Sequence, residues 1–132
     1  MATGPRAEIT TIYLVDDNDA VRRSLHRFFE AYGFAVRAYP SGEAFLAEVP
    51  TQENSCLILD FHLPGLNGLE ILKRVRSQGW YLPVIVLTGN DDSSLEEQVL
   101  RLGVKAFLRK PFDLYDLTLK VIKPRVLLKS DA

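Results

Sequence analysis

Cys56-Leu57-Ile58-Leu59 and Val84-Ile85-Val86-Leu87 are unbroken apolar runs of strand length. Neither alternates with polar residues, so as strands both must be covered on two faces. That requirement fits a parallel sheet sandwiched between helices. Three further runs have similar character: Ile12-Tyr13-Leu14-Val15, Phe34-Ala35-Val36 and Ala106-Phe107-Leu108. Helical periodicity fills the intervals. Val21, Leu25, Phe28 and Tyr32 recur at spacings of four, three and four, one apolar stripe, with Asn18 or Asp19 to cap its start and Gly33 to end it. Ser41-Gly42-Glu43 opens a short second helix that ends near Val49-Pro50. Leu69, Leu72 and Val75 mark a third, closed by Gly79. Leu95, Val99 and Leu102 mark a fourth, closed by Gly103, and Leu114, Leu117 and Val121 a fifth, limited by Pro124. Strand and helix signals thus alternate five times, which predicts a doubly wound α/β sheet with right-handed crossovers.

Four of the five runs lead into a polar group. The first ends at Asp16-Asp17, the third at Asp60 and the fourth at Thr88; the last leads, one residue later, to Lys110-Pro111. If the strands are parallel, these groups gather at one sheet edge, where open α/β sheets bind ligands. One such aspartate reads as a helix cap or a turn residue. Three of them beside a hydroxyl and an ammonium read as a site. Neighbouring carboxylates repel, and burying them unpaired is costly, so the cluster calls for a cation. Hard oxygen ligands select Mg²⁺, with Mn²⁺ as the alternative. A crevice of this kind suits a divalent cation and an incoming phosphoryl group.

Composition narrows the class. The 132 residues are enough for one domain with a real core, and 47% apolar with 25% charged residues excludes disorder. A net charge of −1 supplies no field drawing the chain to nucleic acid or membrane. The lone cysteine, Cys56, lies inside an apolar run and reads as a buried strand residue. No internal disulfide can form, Met1 to Thr11 lacks a signal-peptide core, and no stretch reaches membrane-spanning length; together these suggest the cytoplasm. The expected organisation is a loose N-terminus at 1–8, one domain at 9–123 and a short tail at 124–132, either as a whole protein or as a fragment of a longer one.

Val15-Asp16-Asp17, Asp60 followed by Leu63-Pro64-Gly65 and Asn67-Gly68, Thr88-Gly89, and Phe107 followed by Lys110-Pro111-Phe112 together resemble the response-regulator receiver domain of two-component signalling. The resemblance spans roughly residues 9–123, and its second half is similar to receivers of the nitrogen-fixation regulator type. It implies a flavodoxin-like (βα)5 fold with strand order 2-1-3-4-5. It implies that Asp60 accepts a phosphoryl group from a histidine kinase or a histidine phosphotransfer protein. Asp17 would bind Mg²⁺ directly, Asp16 directly or through water, and the backbone carbonyl of His62 would add another oxygen. Lys110 would pair with the phosphoryl group and Thr88 would hydrogen-bond it. Thr88 and Phe107 would form the switch, with Lys110-Pro111 in the cis form. The fourth helix, fifth strand and fifth helix would then bind a downstream protein or a second copy, with Leu100 and Tyr115 off the core stripes and exposed. Partner kinases of the family pack against the first helix, where Arg22, Arg23 and Arg27 make a basic face; a solvated helix face is the plainer reading of those arginines and of His26.

Three other functions compete. A magnesium-dependent aspartyl-phosphate hydrolase of the haloacid-dehalogenase type wants a second acid two residues after the nucleophile, where this chain has His62. An electron carrier of the flavodoxin type would need a hydroxyl- and glycine-rich phosphate loop where this chain has Asp16-Asp17. A degenerate receiver acting only by contact would lack some of the key residues. The expectation is therefore a switch that catalyses its own phosphorylation and slow dephosphorylation, without turnover of a separate substrate and without direct DNA binding.

Overall fold

In a computed structural model, residues 9–48, 54–89 and 93–122 are described. The segments read above as a loose N-terminus at 1–8 and a tail at 124–132 lie outside them, as do Val49 and Pro50 at the end of the second helix. Strands and helices alternate as β1 Thr11–Val15, α1 Asp19–Ala31, β2 Ala35–Tyr39, α2 Gly42–Glu48, β3 Ser55–Asp60, α3 Gly68–Ser77, β4 Val84–Thr88, α4 Ser93–Arg101, β5 Ala106–Arg109 and α5 Leu114–Ile122. The sheet is parallel throughout, in the order β2-β1-β3-β4-β5. The chain order reverses at β1 and β3, and a crevice opens there at the carboxyl ends.

The unbroken apolar runs are buried on both faces because successive side chains point to opposite sides of a strand. Tyr13, Val15, Leu57, Leu59, Val84 and Val86 face Phe45, Ile71, Leu72, Val75 and Val99 of α2, α3 and α4. Ile12, Leu14, Cys56, Ile58, Ile85 and Leu87 face Leu25, Phe29, Leu117 and Val121 of α1 and α5. Each fully buried side chain of this size contributes about 1.5–3 kcal/mol. β2 is an edge strand and is only partly covered.

Local signals set most helix ends. Asn18 caps α1 by accepting from the Val21 amide at 3.0 Å, and Asn67 caps α3 in the same way from Glu70. The phase of α1 differs from the sequence reading. Leu25 and Phe29 are its buried residues, Phe28 is half-buried, and Tyr32 is the exposed C-cap. With two adjacent phenylalanines, periodicity alone chose the wrong one. In α5, Leu114 is likewise more exposed than expected, and Thr118 is buried beside Leu117 and Val121. The Leu95 side chain lies outside the described residues.

Candidate phosphoryl-acceptor site

The five polar groups meet where the apolar runs end. Asp16 follows β1 and is fully buried, Asp60 closes β3 at 4% exposure, and Thr88 closes β4 at 1%. Strand pairing places them. Val15 lies opposite Leu59, and Asp60 lies opposite Leu87, so Asp16 and Thr88 flank Asp60 on neighbouring strands. Carboxylate oxygens of Asp16, Asp17 and Asp60 lie within 4.8 Å of one another. Lys110 reaches in from the loop after β5, its Nζ 3.4 Å from Asp60 Oδ1. The Lys110-Pro111 peptide is cis, and the Lys110 amide donates to the Thr88 carbonyl at 2.7 Å, carrying the β4–β5 pairing to the mouth of the site.

The electrostatics of this cluster favour a cation. Asp16 Oδ1 accepts from the Asn18 amide at 2.9 Å, but Oδ2 is buried with no hydrogen-bond partner among the described residues. Burial pushes the Asp16 carboxyl above its ordinary range; the Asn18 amide and the Lys110 ammonium pull it down, and repulsion from Asp60 and Asp17 pushes it up. A buried, unpartnered oxygen facing two further carboxylates is a donor set for a hard divalent ion. Asp16, Asp17 and Asp60 therefore fit the Mg²⁺ that the sequence resemblance implies.

Several contacts were not legible in the chain. Arg22, read as part of a basic face, donates to the Asp16 carbonyl at 2.8 Å and also pairs with Asp19, so it ties α1 to the site's backbone. Arg23 and Arg27 are exposed, and His26 is half-buried and pairs with Glu30. The His62 ring enters the site as well: Nε2 is 2.9 Å from Thr88 Oγ1, and the His62 amide reaches Asp60 Oδ1 at 3.4 Å. Gly65 adopts a φ of 72°, in the left-handed region that favours glycine. Gly68 serves close packing: a Cβ there would lie 2.8 Å from Phe61 Cα.

Phe107 is half-buried against the α2–α3–α4 side of the core. The Arg109 guanidinium lies over its ring at 5.4 Å, and Arg109 pairs with Glu96 of α4 at 2.6 Å. Leu100 and Tyr115 are exposed, at 51% and 65%, as their positions off the core stripes predict.

Comparison with known proteins agrees with this architecture. The family model of the response regulator receiver domain matches residues 12–122. The transcriptional regulatory protein FixJ of Azorhizobium caulinodans is 40% identical over 106 residues, covering 80% of this chain and 50% of that protein. The C4-dicarboxylate transport transcriptional regulatory protein DctR of Rhodobacter capsulatus is 39% identical over 105 residues, 78% of this chain and 53% of that one. The chain spans about half the length of these curated relatives. The crystal structure of FixJ-N superposes with a TM-score of 0.78 at 32% identity, covering 87% of this chain and 92% of that one. No helix among the described residues is long and apolar enough to cross a membrane. The chain belongs to the response regulator receiver domain family of two-component signalling, and its relatives include FixJ, a regulator of the nitrogen-fixation type.

Proposed function

We propose that this chain is a cytoplasmic phosphorylation switch in which Asp60 is the acceptor. The observation that carries the reading is the convergence of Asp16, Asp17, Lys110 and Thr88 on one nearly buried carboxylate. Asp60 is the nucleophile. One of its oxygens forms a bond to phosphorus as the phosphorus–nitrogen bond of a kinase or phosphotransfer phosphohistidine breaks, and the departing imidazole keeps the electron pair and takes up a proton. A carboxylate nucleophile divides transfer and later hydrolysis into two steps. Asp16, Asp17, Asp60 and the His62 carbonyl would hold Mg²⁺, with Mn²⁺ the alternative. The ion would supply charge neutralisation on the phosphoryl oxygens. Lys110 supplies the second positive charge, and its ammonium is already within 3.4 Å of Asp60. The Thr88 hydroxyl can donate to a phosphoryl oxygen on Asp60.

The output is a change of partner at the face made by α4, β5 and α5. Val86 pairs with Phe107 and Thr88 with Arg109 across β4 and β5, so a shift at Thr88 bears directly on the strand that carries Phe107. Phosphorylation favours the state with Phe107 turned inward and thereby promotes binding of a downstream protein or a second copy. Intact-mass measurement after incubation with Mg²⁺ and acetyl phosphate should show one added phosphoryl group that hydroxylamine removes. Asp60→Asn should show none; unchanged incorporation in that variant would assign the acceptor elsewhere.

A further inference from the structure

The His62 ring contacts the one hydroxyl that the phosphoryl group is expected to need. Thr88 is 1% exposed, yet its Oγ1 lies 2.9 Å from His62 Nε2. His62 and Thr88 stand 26 residues apart, at the ends of adjacent strands β3 and β4. The ring is backed on another side by Phe61, edge to face at 5.8 Å, and Phe61 is buried and packed closely on Gly68. The ring is therefore seated on the fold as well as on the hydroxyl. A threonine hydroxyl carries one proton and two acceptor lone pairs, and either imidazole tautomer can complete the pair. In both cases the bond fixes where Oγ1 points.

We propose that the His62 ring is a positioning residue that latches Thr88 in the unphosphorylated state and releases it when a phosphoryl group on Asp60 competes for the hydroxyl. The proposal rests on Asp60 being the acceptor. A contact made in only one of two states shifts the equilibrium toward that state by its own strength. A partly buried hydrogen bond of this kind is worth roughly a five-fold change in the equilibrium. The latch also acts at the right place. The Thr88 carbonyl accepts from Lys110, and Thr88 pairs with Arg109, whose guanidinium covers Phe107. Holding Thr88 therefore holds the strand that carries the aromatic switch.

The test compares wild type, His62→Leu and His62→Gln. Leucine keeps bulk without a hydrogen-bonding group; glutamine keeps a polar group of similar reach. Imidazole ¹⁵N spectra of the wild type in saturating Mg²⁺, with His26 assigned through His26→Gln, follow Nε2 before and after acetyl phosphate, and intact mass reports the phosphoryl group on the same sample. The Thr88 methyl resonance reports the switch in all three proteins. The latch requires Nε2 to change its bonding signature on stoichiometric phosphorylation. It also requires the unphosphorylated His62→Leu protein to move toward the phosphorylated Thr88 position by about five-fold in population, with His62→Gln within about two-fold of wild type. Phosphorylation with an unchanged Nε2 resonance overturns the latch alone, as does a Leu variant indistinguishable from wild type. No phosphoryl incorporation in the wild type overturns the acceptor assignment and the latch with it. The wild-type spectrum makes the test independent of whether either variant folds.

Discussion

Replacing Asp16 by Asn should stabilise the protein in the absence of metal and weaken its response to Mg²⁺. The Asp16 carboxylate is fully buried, and its Oδ2 has no partner among the described residues. Asparagine preserves the shape and keeps an oxygen for the Asn18 amide, which now bonds Asp16 Oδ1 at 2.9 Å. Its NH₂ group would face Asp17 and Asp60 as a donor. Unit charges 4.8 Å apart, the outer limit for these carboxylates, repel by about 3 kcal/mol at an effective dielectric of ~20. Screening at the exposed Asp17 and the nearby Lys110 ammonium reduce this, while relief of desolvation adds to it. A net gain of about 1–3 kcal/mol follows, or roughly 3–10 °C in Tm for a domain of this size. Thermal melts in EDTA at neutral pH test the sign. Saturating Mg²⁺ should then raise the wild type by about 2–3 kcal/mol at a hundred-fold excess over Kd, and the variant by less. The difference between the proteins also depends on pH. The raised Asp16 carboxyl binds its proton more readily folded than unfolded, so its penalty is absent below the unfolded value of about 3.9 and grows as pH rises through the folded one. The advantage of Asp16→Asn should therefore shrink on acidification. A variant that melts below wild type in EDTA, or that gains as much from Mg²⁺, would refute the reasoning.

Leu100→Glu should block phosphorylation-dependent self-association or partner capture, because it places a charge on the exposed apolar part of α4, and sedimentation of the phosphorylated protein reads the result. Association equal to wild type would move the output surface elsewhere. Cys56 is fully buried, and burial pushes its thiol up to about 12. A thiol reagent at pH 8 should reach it only through unfolding, at least about a thousand-fold more slowly than in denaturant. Rapid modification of the native protein would contradict the placement of β3 at the centre of the sheet.

The sequence determined the architecture because its signals are local. Unbroken apolar runs must be covered on two faces, and Asn18, Asn67 and the closing glycines mark helix ends by short-range chemistry. It also determined the membership of the site: Asp16, Asp17, Asp60, Thr88 and Lys110 lie at or just beyond strand ends, and a parallel sheet carries all strand ends of one kind to one edge. What the chain could not show is which polar groups satisfy one another once they arrive. Arg76, one arginine among several in the sequence, donates to the carbonyls of Trp80, Leu82, Leu102 and Gly103 and so pins the loops after α3 and α4. Arg22 turns inward to the Asp16 carbonyl, and His62, though exposed, reaches the Thr88 hydroxyl. The choice of Phe29 over Phe28 has the same origin. Helical phase differs by only about 100° between adjacent residues, and the surface α1 packs against selects the one that fits. Such pairings depend on side-chain direction and on distances across elements far apart in sequence, so only the tertiary structure decided them.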